Sequence, residues 1–365
     1  MDCDVLIVGS GLTGATIARL AKDHGASVTV VDRRSHIGGN VHDHRHQSGI
    51  IVHTYGPHYF RTSSDRVWEY VNRFSTFRSF AAELKTLVDS RYENWPISAE
   101  YIERAVDLDC HPEFSGDPAN FEEACLAMMP RLVYERFVKG YTEKQWGVPA
   151  VSLDAALAGR FDVRADNDPR LKTSRHQGLP VDGYAALMTR MLADISVISD
   201  YDYLRRRTEI VPRRYTVYTG AIDEFFGFDL GRLRYRGQRR EETWVAGPAF
   251  RHPTVQTNFP SPAQGAFIRE IEWKHMMDLA DRQDISGTLI TREYPVTPDD
   301  PECFEYPFPS AQDRGLFAKY QQRADAIPNL LICGRLGEYR YYDMDQAIGR
   351  AFVLFDRHVK PKIAD

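Results

Sequence analysis

The chain has 365 residues, enough for two or three packed units, and its apolar fraction of 43% is ordinary for a globular protein. A formal net charge of −5 argues against a general nucleic-acid binder, which would carry an excess of Lys and Arg. No apolar run approaches the roughly 20 residues a membrane span needs, and strand-like sequence from residue 5 leaves no room for a signal peptide, so a cytoplasmic protein is expected.

In chain order, Val5-Leu6-Ile7-Val8 is a β-branched run without alternation, as in a parallel strand covered on both faces. Gly9-Ser10-Gly11-Leu12-Thr13-Gly14 follows at once. In this pattern Gly9 allows the tight turn, Gly11 admits a pyrophosphate close to the backbone, and Gly14 lets helix and strand approach. Ala15 to His24 is expected as the helix, with its N-terminal amides facing the pyrophosphate, and Thr13 of the preceding turn is counted among the cofactor-binding residues. A second strand, Ser27 to Val31, ends at Asp32, where a carboxylate can take the ribose hydroxyls of an adenosine. A glycine motif framed by strand, helix, strand and acid predicts a dinucleotide site.

Asp32-Arg33-Arg34-Ser35-His36-Ile37-Gly38-Gly39-Asn40 resembles the second glycine signature of FAD-binding proteins, with Gly39 and Asn40 near the diphosphate. Arg33 directly after the acid is the competing signal, for an NADP phosphate; FAD is the better reading. His42, His44 and His46 follow at strand spacing, which a metal site or a solvated strand face would both produce, and no further ligand pattern supports the metal. The five cysteines, Cys3, Cys110, Cys125, Cys303 and Cys333, lack CxxC spacing and predict free thiols.

Further on, Glu122 to Arg136 has the apolar spacing of an amphipathic helix inside a helix-rich stretch from Phe77 to Gly147. Arg232 to Phe250 alternates as an antiparallel strand, and Asn329 to Gly334 is a second buried parallel strand. Arg205-Arg206-Arg207 and Arg213-Arg214 are expected as a solvated turn rather than a phosphate site.

Tyr55-Gly56-Pro57-His58-Tyr59-Phe60-Arg61-Thr62, taken with the opening, resembles the UDP-galactopyranose mutase family, whose bacterial members carry a similar motif beside the flavin. The resemblance continues in family order through Lys139 to Gly147, Arg175 to Tyr184, Tyr218 to Asp223, Arg269 with Glu272-Trp273-Lys274-His275, Glu293-Tyr294-Pro295, Tyr306-Pro307 and Gly334 to Gln346.

The resemblance implies an α/β fold: a Rossmann-like FAD domain (1–78, 180–222, 318–357), a helical part (79–150) and an antiparallel-sheet substrate part with a mobile loop (151–179, 223–317). It also implies an isomerase, with UDP-galactose the default substrate, in which N5 of the reduced FAD attacks the anomeric carbon of a nucleotide sugar with no net redox. An external reductant such as NAD(P)H and a homodimer belong to the same expectation.

By the same resemblance, Arg175 and Arg269 grip the diphosphate, Tyr306 and Tyr341 donate hydroxyls to it, and Tyr141 stacks on the base. Thr142, Trp146 and Tyr184 line the substrate cavity, while His58, Arg335, Asp343 and Met344 surround the flavin, with Asp343 capping a helix. Three places depart from the family. Arg61 replaces the usual histidine, a charge that would favour an anionic reduced flavin or meet an acidic substrate group; Ser98 and residues 164–173 differ where specificity is set. A relative acting on a different nucleotide sugar, an amine-oxidase-like oxidoreductase and a flavoprotein partner without turnover are the competing readings.

Overall fold

The computed structural model describes residues 2–105, 112–247 and 249–364, so Cys110 lies outside the described residues. Val5–Val8, fully buried, is the middle of a five-stranded parallel sheet ordered Ser196–Ile198, Val28–Val31, Val5–Val8, Tyr215–Tyr218 and Leu330–Ile332. The first helix runs Leu12–Asp23, three residues earlier than expected, because Gly11 already holds the extended conformation of an N-cap. A Cβ at Gly14 would lie 2.0 Å from the Gly9 carbonyl oxygen, so only glycine lets the helix sit this close to the strand. The chain returns to this layer through Leu330–Ile332 and the helix Met344–Leu354, which opens on a capping box between Asp343 and Gln346.

The second layer is a seven-stranded sheet ordered Tyr306–Pro307, Tyr235–Ala246, Gly287–Val296, Arg269–Glu272, Gln256–Asn258, Leu84–Val88 and Arg91–Trp95. Its long hairpin, Tyr235–Ala246 against Gly287–Val296, pairs antiparallel from Gly237↔Val296 to Ala246↔Gly287. Leu84–Val88 joins the sheet parallel to Gln256–Asn258. The stretch 79–150 expected as helical therefore begins with two strands, and its helices start only at Ala99–Ala105. Leu84–Val88 buries every second residue, a period-two pattern that a reading for helix passes over.

The amphipathic stretch expected from Glu122 to Arg136 is two helices. Phe121–Leu126 is capped by the Asn120 side chain, which accepts from the Glu123 N–H at 3.0 Å, and Pro130 separates it from the next. That next helix runs Arg131–Val133, widens over Tyr134–Lys139, continues as Gly140–Trp146 and ends at Gly147 in the left-handed region. Pro130 has no N–H to donate and forces its predecessor out of the helical region.

The arginine runs are held by acids rather than open to a phosphate. Arg205 pairs with Asp202, Arg206 with Glu209, and Arg213 with Asp2 and Asp4. The four described cysteines are free thiols, three of them buried. Among the described residues no helix is long and apolar enough to cross a membrane.

Gly14→Ala should lower unfolding stability by at least about 1–3 kcal/mol through overpacking, read as a shift in denaturant midpoint at unchanged m-value. Gly25→Ala is the control, a positive-φ position where an added Cβ meets nothing within 4 Å and only backbone strain acts.

Candidate active site

Two cavities meet between the layers. The first, about 200 Å³, follows the glycine turn and is lined by Gly9, Gly11, Thr13, Gly14, Asp32, Arg33, Gly39, Asn40, His58, Arg335 and Met344. The second, about 290 Å³, lies between the helix ending at Trp146 and the seven-stranded sheet. They share Asn40, His58, Arg335 and Met344, which makes them one continuous groove.

The first cavity has the features a dinucleotide needs. Gly11 offers no side-chain cap to the helix Leu12–Asp23, and the first turn carries no acid, so its leading N–H groups are left for an anion. A Cβ at Gly39 would lie 2.9 Å from the Gly11 Cα, so the two glycine turns touch through their backbones. Asp32 is buried; its Oδ2 accepts from the Ser10 N–H and hydroxyl at 2.7 and 2.6 Å, and its Oδ1 accepts from the Arg34 N–H at 3.0 Å. Arg33 donates a two-pronged fork to Glu224 at 2.8 and 2.9 Å, so its charge is already neutralised and the NADP-phosphate reading loses its main support.

The second cavity gathers Tyr141, Thr142, Trp146, Arg269, Tyr306 and Tyr341 of the expected substrate residues. Phe137, Tyr141 and Gln145 reach it from successive turns of one helix face. The Tyr306 and Tyr341 rings stand nearly parallel, with centroids 6.1 Å apart. Burial pushes the Tyr306 hydroxyl up to about 12, partly offset by Arg269, so it remains a proton donor at neutral pH. Arg269 gives its Nε–H to Glu293 at 2.5 Å and lines the cleft. Asp343 lines the same cavity, where Arg61 donates to it at 3.0 Å.

Two expected residues lie elsewhere. Arg175 is mostly exposed and paired with Asp65 at 2.7 Å, outside both cavities. It directly precedes the strand His176–Pro180, whose pairing with Phe60–Thr62 and Phe77–Ser79 carries it to the first turn of the helix Asp65–Asn72. Tyr184 is buried beneath the site: its hydroxyl donates to the His58 carbonyl at 3.0 Å, a support for His58 rather than a ligand contact. Ser98 also misses the cleft, which Trp95 reaches from the neighbouring strand.

The arginine that joins Arg269 in the cavity is Arg160, which sequence reasoning missed. It ends the short helical turn Ala155–Arg160, lies 3.9 Å above the Tyr341 ring and makes no ion pair among the described residues. Its only sequence signal is a position thirteen residues past the Trp146-Gly147 helix stop, which says nothing about direction. Arg335 also sits over Tyr341, at 4.6 Å, and donates to the Tyr342 carbonyl at 2.7 Å.

His58 stands where the cavities join. Its Nδ1–H donates to the Gly56 carbonyl at 2.7 Å, which leaves Nε2 as a lone-pair acceptor. Burial, helped by Arg335, pushes it down to about 3, so it is neutral at physiological pH. His53 accepts from the His58 N–H at 3.0 Å and is driven well below its usual value by burial. Among the described residues no group of three His, Cys, Asp or Glu is arranged for a metal; His42 and His44 instead share the Thr54 hydroxyl.

His42, pushed down to about 4 by burial, joins His53 and His58 in holding a depressed pKa in the folded state. As pH falls through about 6.5 the unfolded chain takes up protons that the folded chain refuses. Their support for the fold is therefore complete above about pH 6.5 and drains away toward pH 3, at up to about 1.4 kcal/mol per pH unit for His53 and His58 and less for the more solvent-exposed His42. Thermal melts from pH 7 to pH 5 should show a falling Tm, with a shallower fall for His53→Gln.

The description "UDP-galactopyranose mutase" belongs to the family model that matches residues 136–341, and an NAD(P)-binding Rossmann-like domain matches residues 7–74. The chain is 32% identical to a probable UDP-galactopyranose mutase of Klebsiella pneumoniae, across 97% of this chain and 94% of that one. It is 29% identical to the dTDP-fucopyranose mutase of Escherichia coli, across 98% of both. A crystal structure of reduced UDP-galactopyranose mutase shares the fold with a TM-score of 0.77 at 14% identity, covering 100% of this chain and 96% of that one. Its motifs, its Rossmann layer and these matches together make the chain a member of the UDP-galactopyranose mutase family of isomerases.

Proposed function

We propose that this protein is a flavin-dependent mutase that interconverts the pyranose and furanose forms of a nucleotide-diphosphate sugar, UDP-galactose being the default. The observation that carries this reading is the meeting of Arg160, Arg269, Tyr306 and Tyr341 in a cavity that opens into the dinucleotide groove at His58. FAD, when bound and reduced, supplies a nucleophile and returns to its starting oxidation state over a turnover.

The chain's own residues do the rest. The amides at the start of Leu12–Asp23 would hold the cofactor diphosphate, and Asp32 would hold its ribose. Arg160 and Arg269 hold the substrate diphosphate from two different elements, an arrangement that keeps the departing nucleotide in place while the sugar rearranges. Tyr306 and Tyr341 add hydroxyl donors, Tyr141 stacks on the base, and the neutral His58 offers Nε2 to a hydroxyl at the junction. An amine substrate would need no such clamp, which is why the oxidoreductase reading is weaker. The Escherichia coli relative favours one variant of this reading, a mutase for a dTDP-linked sugar.

The test is to incubate dithionite-reduced protein with UDP- and dTDP-sugars and separate the products by chromatography. The reading requires an interconverted nucleotide sugar, no product from the oxidised protein, and no reductant consumed per turnover; one reductant used per product would refute it. Each arginine of the clamp is worth about 1.5–3 kcal/mol to the diphosphate. Arg160→Ala and Arg269→Ala should each weaken UDP binding by about 10- to 150-fold.

A further inference from the structure

From the cleft lining back into the wall runs a chain of four alternating charges, of which Arg269 and Glu305 reach the cavity. Arg269 donates to Glu293 Oε2 at 2.5 Å, and Arg240 donates to Glu293 Oε1 at 2.9 Å. Arg240 then turns its fork onto Glu305, at 2.8 and 2.9 Å. Glu293 is completely enclosed, and the Arg240 and Glu305 side chains are only 13% and 6% exposed. The two arginines overcome the burial of Glu293 and hold its carboxyl below the usual range, so it stays a carboxylate between them.

Each member comes from a different strand or its flank: Arg269 from Arg269–Glu272, Glu293 from Gly287–Val296, Arg240 from Tyr235–Ala246, and Glu305 from the residue before Tyr306–Pro307. Arg240 does not line the cleft, and its Nε and both Nη atoms are committed to protein acceptors. The Tyr55–His58 turn also closes on this chain, for a Cβ at Gly56 would lie 2.5 Å from Glu293 Oε1.

We infer that Arg240 is a positioning residue: by gripping Glu293 and Glu305 together it fixes Arg269 and Tyr306, two groups on separate strands, in one rigid frame for the substrate diphosphate. Burying four charges is costly and an apolar cluster would stabilise as well, so the chain contributes placement and charge balance more than stability. Without Arg240, two carboxylates would face one guanidinium beside the phosphates, and the frame would both loosen and turn negative. This inference rests on the diphosphate reading of the second cavity.

The experiment measures the affinity of the full-length, flavin-loaded protein for UDP and uridine, and for dTDP and thymidine, by titration calorimetry. Arg240→Met should lose at least about tenfold in diphosphate affinity, while nucleoside affinity stays within about twofold. Arg240→Lys, which keeps the charge but has no fork, should fall between wild type and Arg240→Met, and it serves if Arg240→Met fails to fold. Arg240→Met combined with Glu305→Gln should be no worse than Arg240→Met alone, since the pair acts as a unit. Unchanged ratios of diphosphate to nucleoside affinity in these variants, or equal losses for both ligands, would overturn the positioning role. Wild-type protein that bound UDP and dTDP no better than the nucleosides would instead refute the diphosphate reading itself.

Discussion

The hydrogen bond from the His58 ring to the Gly56 carbonyl organises the place where both cavities meet. It fixes the tautomer, while the deep, cation-rich surroundings outweigh its pull toward protonation and keep the imidazole neutral, so the junction presents an acceptor where a protonated ring would present only donors. The turn that makes this bond needs Gly56 at φ +90°, and that glycine in turn leaves room for Glu293. Cofactor groove, substrate cleft and buried ion chain are thus tied through four residues of backbone.

The cleft is rich in positive charge, yet its cations differ in how free they are. Arg61 is taken up by Asp343, and Arg269 gives only its Nε–H to Glu293. Arg160 has no ion-pair partner among the described residues and rests on the Tyr341 ring. A cation held by a ring face keeps its donors for an incoming anion, whereas one already forked onto a carboxylate must first give up that partner. Charge alone therefore says little about which arginine a ligand meets.

Local signals carried the Rossmann layer. The strand, the glycine turn, the second strand and Asp32 are contiguous, and each is set by short-range sterics and burial, so Val5–Val8, Val28–Val31 and Leu330–Ile332 were legible in the sequence, as was Tyr235–Ala246 of the second layer. The site was legible where motif residues point inward from regular elements, as Tyr141 and Trp146 do from one helix. It was illegible where direction depends on tertiary pairing. Arg175 and Arg160 look alike in sequence, and only the strand pairing of His176–Pro180 shows that the first is turned away from the cleft. The Arg240–Glu305 fork joins positions 65 residues apart, and no local pattern encodes it. Leu84–Val88 and Arg91–Trp95 were hidden because they complete a sheet whose other strands lie far downstream.

At the side of the cleft formed by Arg61 and Asp343, the two charges already cancel, and Asp343 also caps the helix Met344–Leu354. A sugar carrying its own carboxylate would bring a third charge to a balanced pair and would win Arg61 only by stripping a partner from Asp343. A hydroxymethyl, methyl or amide arm makes no such demand. The arginine that first looks like a receptor for acids thus stands as half of a charge-paired wall, already answered by a carboxylate of its own chain.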